Sequence, residues 1–128
     1  VMVHSLMRSS VDSAKDDLAE KMCCAFELAG GKVAFSGGYS GWAPNMDSPI
    51  LKEMKKVYKS LFKKEPAVMA IHAGLECGIL GGTYPNWDMV SCGPTIFSPH
   101  SPDERVNIES VEKWWKFVKE VLKEAPKK

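Results

Sequence analysis

His100 is the residue best suited by its type and setting to bind a metal ion. It lies between two prolines in the loop sequence GPTIFSPHSPDE, Gly93–Glu104, and the prolines restrict the backbone around it. Neutral imidazole is the commonest metal ligand, but zinc usually takes three or four protein ligands, so a single loop histidine is more often simply exposed. The carboxylates of Asp103 and Glu104 could either cap the turn or orient the imidazole. The local sequence leaves these alternatives open.

A second candidate site is the sequence IHAGLECG, in which His72 and Glu76 flank Gly74. A glycine lets a ligand approach the backbone closely, and backbone amides at a strand-to-helix turn can hold a carboxylate or an oxyanion. A turn glycine followed by a capping glutamate explains the same residues without a ligand. The residues by themselves favour this simpler interpretation.

Arg8 is the third candidate, in the sequence SLMRSS at the end of a strand-like run. A guanidinium can clamp a carboxylate through two parallel hydrogen bonds, which suits recognition of the C-terminus of a peptide. An arginine at the surface beside a strand is otherwise common. Its type alone therefore does not assign a role.

The N-terminal elements that would position Arg8 follow a strand, helix, strand pattern. Residues 1–8 read as a strand, and Asp12 or Ser13 can cap a helix whose apolar side chains share one face until Gly30. Residues 32–36 alternate as a half-buried strand does. A stretch rich in turn residues follows, and it predicts a domain boundary near residues 42–45. So short a piece would need further strands to complete its sheet, and we expect the polypeptide to continue upstream of Val1.

The remaining residues predict helices alternating with buried strands. Ser48 as N-cap and Pro49 at the first helical position begin one helix, and a last amphipathic helix extends from about Val111 to Leu122. Short apolar runs at 67–71 and 88–92 predict strands that are buried on both faces. The pattern indicates a layered α/β domain, whose ligands usually bind beyond the carboxyl ends of the strands, where His72 and His100 lie.

Composition excludes several classes of function. The chain has 128 residues and a net charge of +1, so nothing attracts it to nucleic acid or an anionic membrane. No run reaches the roughly 18 to 20 apolar residues that span a bilayer, and the first residues lack the apolar middle of a signal peptide. The four cysteines form no CxxC pair. We therefore expect reduced thiols without a metal role, and a cytoplasmic location.

The sequences HSLMRSS, FSGGYSGWAPNMDSPIL, IHAGLECGIL and GPTIFSPHSPDERVNIESVEKWW occur together in this chain. Their combination resembles the C-terminal part of bacterial aminoacyl-histidine dipeptidases, the peptidase D type of the M20 metallopeptidases. The resemblance covers nearly the whole chain. It implies two zinc ions, metal-assisted hydrolysis of Xaa-His dipeptides, and a catalytic domain interrupted by a smaller lid domain.

The resemblance also assigns roles to residues. Residues 1–43 would end the lid as a β-α-β remnant of an α+β domain, and residues 44–128 would complete the layered α/β catalytic domain. His100 corresponds to the last metal ligand and Arg8 to a substrate-binding arginine of the lid. Gly74 would face the carboxylate end of the substrate, whereas His72 and Glu76 would line the pocket or support the turn. The other metal ligands and the catalytic base have no matching motif here, so we expect no catalytic residue in this chain.

Three functional hypotheses remain distinct. The first is a zinc dipeptidase in which this portion is inactive without the missing N-terminal part of the same polypeptide. The second is a stand-alone interaction module that pairs through an unpaired sheet edge. The third keeps the fold but changes the substrate to an N-acyl amino acid or another peptide. A small peptide substrate and a homodimer are the further partners expected, without nucleic acid or membrane.

Overall fold

A computed structural model describes residues 1–71 and 76–125 of the chain. In order along the chain, its elements are α1 (Asp12–Leu28), α2 (Pro49–Phe62), α3 (Glu76–Thr83), β1 (Ile96–Phe97), β2 (Arg105–Val106) and α4 (Ile108–Glu124). The four helices and one small sheet are consistent with the predicted α/β class. No helix in the described ranges is long and apolar enough to cross a membrane.

The chain divides into two compact units, each built from two separate segments. The first unit combines Val1–Asn45 with Met69–Trp87, and the second combines Met46–Val68 with the chain from Asp88 onward. The division near Asn45 lies close to the boundary expected from the turn-rich stretch, but residues 69–87 join the first unit. The assignment of residues 1–43 to a lid and 44–128 to a catalytic domain stays a prediction.

Helix α1 begins one residue earlier than its expected caps. Its N-cap is Val11, which offers no side-chain oxygen, and Asp12 is the first helical residue. Its C-terminal end matches the prediction, because Gly30 adopts a φ of 78° that few other residues tolerate. The amide of Gly30 donates to the carbonyl of Glu27 at 2.9 Å and closes the last turn.

Helix α2 begins as its sequence predicts. The Oγ of Ser48 accepts a hydrogen bond from the Leu51 amide at 3.0 Å, and Pro49 occupies the first turn. Asp88 adds a second acceptor at this end, since its Oδ2 accepts from the Ile50 amide at 3.0 Å. The pKa of Asp88 is lowered mainly by this backbone hydrogen bond and also by one with Ser48. The capping groups thus satisfy amides that the helix itself leaves unpaired.

The core of the second unit lies between α2 and α4. Val57 and Phe117 are buried at this contact, and the rings of Tyr58 and Phe117 meet edge to face with centroids 5.5 Å apart. The Nζ of Lys113 donates to the Tyr58 hydroxyl at 2.7 Å and lies 4.7 Å from the centre of the Phe62 ring. Burial of aromatic surface and a cation over the rings hold these two helices together.

The first unit is held by close backbone contacts around residues 39–41. A Cβ on Gly41 would lie 2.5 Å from the carbonyl oxygen of Ser9, and a Cβ on Gly78 of α3 would lie 2.7 Å from that of Ser40. Any larger residue would collide at these two positions. The glycines therefore allow the backbone of 39–41 to pack against neighbouring segments.

The sequence predicted strands at residues 1–8, 32–36, 67–71 and 88–92, and this prediction is wrong. In the described part of the chain these segments are neither helical nor paired, and the only strands are β1 and β2. A strand requires a partner for its backbone hydrogen bonds, and an apolar run in the sequence does not supply one. The layered sheet of a catalytic domain and the β-α-β remnant of a lid therefore stay predictions.

Candidate metal-binding hairpin

The segment around His100 is a short β-hairpin, which the sequence did not reveal. Strands β1 and β2 pair antiparallel, with Ile96 opposite Val106 and Phe97 opposite Arg105. The guanidinium of Arg105 also lies 5.7 Å from the centre of the Phe97 ring. The hairpin loop is residues 98–104, and it presents the sequence SPHSPDE at one end of the two strands.

Helix α4 anchors the base of this hairpin. The amide of Asn107 donates to the carbonyl of Thr95 at 2.9 Å and extends the pairing beyond β2. The Oγ of Ser110, in the first turn of α4, accepts from the Thr95 amide at 2.8 Å. Asn107 is also the N-cap of α4, and its Oδ1 accepts from the Ser110 amide at 2.8 Å. The start of α4 and the base of the hairpin therefore form one hydrogen-bonded joint.

Within the loop, Ser101 forms the central turn. Its Oγ donates to the carbonyl of Ser98 at 2.9 Å and accepts from the Asp103 amide at 3.2 Å. Its carbonyl accepts from the Glu104 amide at 3.1 Å. These bonds satisfy backbone groups that a loop would otherwise leave to water.

His100 has a left-handed backbone conformation, with a φ of 62°. Its amide donates to the Oε2 of Glu104 at 2.6 Å, so the carboxylate binds the main chain of His100. Of the two roles that the sequence allowed for this glutamate, capping the turn is the one observed. The His100 side chain is exposed, and within the described ranges its imidazole makes no hydrogen bond. Neither ring nitrogen is therefore occupied by a hydrogen bond to a described residue.

A zinc ion fits His100 as one ligand but finds no complete site among the described residues. No group of three or more His, Cys, Asp or Glu side chains converges there. Burial raises the pKa of the Cys77 thiol and also that of Cys23, which favours the neutral form of these two thiols. All four cysteines are free thiols, as predicted.

Arg8 and Glu76, two further predicted site residues, belong to the first unit. Arg8 is exposed and precedes Ser9, whose Oγ accepts from the Val11 amide at 3.0 Å just before α1. Glu76 is exposed at the first residue of α3, where an acidic side chain is favoured by the helix dipole. His72 and Gly74 lie outside the described residues, so their predicted roles are not tested by this structure.

Similarity to a known protein extends these observations. No protein-family model matches the chain. Cytosol non-specific dipeptidase of Escherichia coli strain K12 is 48% identical to it over all 128 residues.

The chain therefore resembles that dipeptidase over its whole length. This similarity confirms the resemblance drawn from the motifs around Arg8, Gly74 and His100. The chain spans about a quarter of the relative's length, since the match covers 26% of that protein.

Proposed function

We propose that this chain is part of a metallodipeptidase that hydrolyses Xaa-His dipeptides with two zinc ions. Its 48% identity, over its whole length, to a protein named as a dipeptidase carries the proposal. That relative is also named cytosolic and non-specific. We accordingly propose a cytosolic location for this protein, and a preference for a C-terminal histidine within a wider range of dipeptides.

His100 would hold one of the zinc ions through a ring nitrogen. Its exposed imidazole, its lack of a hydrogen-bond partner in the described ranges and the Glu104 bond to its main chain support this role. When bound, the zinc ions would polarise the scissile carbonyl and lower the pKa of the attacking water. The remaining ligands and the catalytic base would come from the N-terminal part of the polypeptide, and this chain alone would be inactive.

Arg8 would bind the carboxylate of the dipeptide through its guanidinium, and the backbone at Gly74 would face the same end of the substrate. His72 would line the pocket beside it. For Glu76, the position at the first residue of α3 supports the role of stabilising the turn over that of a substrate contact. In this scheme residues 1–43 end a lid domain, and residues 44–128 complete the catalytic domain.

The partners proposed are the missing N-terminal part, the peptide and a second copy of the protein. Large apolar side chains remain exposed, among them Trp115 at 53% and Leu122 at 68% of their full surface. Such exposure supports association with further protein surface. The net charge of +1 supports neither nucleic acid nor an anionic membrane as a partner.

The test is His100→Ala in the full-length protein. We expect loss of about one zinc per protein, measured by elemental analysis, together with a fall in turnover of a dipeptide panel. His4→Ala removes another exposed imidazole outside the hairpin, and it should leave both measurements unchanged. Full zinc content and full turnover in His100→Ala would contradict the metal role.

The substrate specificity of the full-length protein and the inactivity of residues 1–128 alone are tested by separate measurements. Xaa-His dipeptides, dipeptides without histidine and N-acyl amino acids, assayed side by side, separate the proposed specificity from the broader alternative. Residues 1–128 assayed alone should hydrolyse none of them. Dipeptide hydrolysis by this chain alone would contradict the proposal that it is an inactive portion.

A further inference from the structure

The loop that carries His100 adopts a backbone that its residues do not favour by themselves. Ser98 and His100 both have positive φ angles, 49° and 62°. For residues other than glycine, such a conformation is strained and persists only where surrounding contacts maintain it. The described structure shows which contacts these are.

For Ser98 the contact is the hydrogen bond from Ser101, which belongs to the turn itself. For His100 it is the carboxylate of Glu104, four residues later, at 2.6 Å from the His100 nitrogen. A carboxylate bonded to an amide forms a charge-assisted bond, which is stronger than one between neutral groups. The neighbouring Asp103 is exposed, and in the described ranges its carboxylate makes no hydrogen bond. Only one of the two adjacent acids therefore holds the backbone of His100.

We infer that Glu104 is a positioning residue for His100: its carboxylate fixes the backbone from which the imidazole projects toward a metal ion. The inference rests on the proposed function of His100. It differs from the usual arrangement in which a carboxylate bonds to the second ring nitrogen of a histidine ligand. Here the carboxylate leaves both ring nitrogens unoccupied and acts on the main chain.

The role requires an acceptor oxygen at the right distance, and it does not require a negative charge as such. Glu104→Gln keeps an acceptor at the same reach, whereas Glu104→Ala removes it. Glu104→Asp keeps the charge but shortens the side chain by one methylene. Asp103→Ala is the matched control, because it removes the adjacent exposed carboxylate.

The first measurement is direct and needs no metal. Amide hydrogen exchange at His100 in the full-length protein should be faster in Glu104→Ala and in Glu104→Asp than in the wild type. It should stay near the wild-type rate in Glu104→Gln and in Asp103→Ala. Wild-type exchange in both Glu104→Ala and Glu104→Asp would overturn the inference.

The second measurement is zinc affinity by competition with a chelator. We expect Glu104→Ala to weaken retention of one zinc by about 10- to 100-fold, the range typical of residues that orient metal ligands. Glu104→Gln should lose less than about tenfold, since a neutral hydrogen bond replaces a charged one. An equal loss in Glu104→Gln and Glu104→Ala would show that charge is what matters and would overturn the inference. If Glu104→Ala fails to fold, Glu104→Asp supplies the same comparison.

His100→Ala separates this inference from the function on which it rests. If His100→Ala keeps both zinc ions, the proposed metal role fails, whatever the Glu104 variants do. If His100→Ala loses one zinc while Glu104→Ala keeps both with wild-type affinity, the metal role stands and the positioning role of Glu104 is overturned.

Discussion

Asp12 Oδ1 accepts a hydrogen bond from the amide of Gly41 at 2.8 Å, joining the first turn of α1 to a loop 29 residues later. The same oxygen accepts from Lys15 Nζ at 2.9 Å, and that ammonium also donates to the carbonyl of Tyr39 at 2.6 Å. One carboxylate therefore ties the segment after Arg8 to residues 39–41 of the same unit.

We expect this carboxylate to make the first unit sensitive to acid. The pKa of Asp12 is lowered from its ordinary value of 3.8, mainly by the Lys15 hydrogen bond and then by that from Gly41. Because the pKa is lower in the folded protein, the stabilisation is complete above 3.8 and is lost as the pH falls through the lower folded value. Asp12→Ala should therefore unfold at lower urea than the wild type at neutral pH, and the difference should shrink on acidification.

Asp16→Asn is the matched control for this prediction, since Asp16 is an exposed acid of the same helix without an ion pair in the described ranges. Asp12→Asn should fall between Asp12→Ala and the wild type, because its amide oxygen can still accept from Gly41. A pH-independent difference between Asp12→Ala and the wild type would count against a role for the ionised carboxylate.

Gly41 should not tolerate a side chain. A Cβ there would lie 2.5 Å from the Ser9 carbonyl oxygen and 2.8 Å from the Ser10 carbonyl carbon, and both atoms are backbone that cannot rotate away. We expect Gly41→Ala to lower the free energy of unfolding by about 1–3 kcal/mol, as overpacking usually does. Gly38→Ala is the control, because nothing lies within 4 Å of its Cβ position. Equal urea midpoints for the two variants would refute the close contact.

Ser48 should contribute to stability as the N-cap of α2. It is only 1% exposed, and its hydroxyl accepts from the Leu51 amide. Ser48→Ala should cost about 1 kcal/mol in the free energy of unfolding, since it leaves that amide without its acceptor. Ser60→Ala changes an exposed serine within the same helix and should not destabilise it, because alanine has the higher helix propensity. Chemical denaturation of both variants distinguishes the loss of the N-cap hydrogen bond from the general effect of removing a hydroxyl.

If Arg8 binds the substrate carboxylate as proposed, Arg8→Ala should raise KM on the order of 10- to 100-fold in the full-length protein and leave its zinc content unchanged. A charged hydrogen bond to the substrate carboxylate is worth roughly 1.5–3 kcal/mol, and its loss affects the ground state and the transition state alike. The sharper measurement uses a dipeptide amide, which lacks the carboxylate, so that Arg8→Ala and the wild type should then have the same KM. Lys32→Ala, an exposed cation of the same unit, should behave as the wild type with both substrates.

Local signals in the sequence predicted α1, α2 and α4, whereas no helix range was predicted for α3. Ser48 and Pro49 mark the start of α2 to the residue, because an N-cap acts through atoms only three residues away. The apolar runs at 67–71 and 88–92 failed as strand predictions, since the pairing of a strand depends on distant partners that a single segment does not specify. The short hairpin was missed because two residues per strand produce no recognisable periodicity.

The candidate site could be predicted only in part. The family pattern pointed to His100 as a candidate metal ligand. Because Glu104 is close to it in sequence, two roles were considered for this carboxylate, capping the turn and orienting the imidazole. The hydrogen bond that the His100 amide donates to Glu104 depends on a positive φ at His100, which proline neighbours do not predict. Contacts across many residues, such as Asp12 with Gly41, leave no local mark in the sequence.

The interleaving of the two units has a consequence for synthesis on the ribosome. The first unit needs Met69–Trp87, which follow the first segment of the second unit in the chain. The first unit can therefore finish folding only after the first segment of the second unit has been translated, and the second unit must wait for the chain from Asp88 onward. A nascent chain halted before Trp87 would hold two half-built cores, and its exposed apolar residues would be open to chaperones.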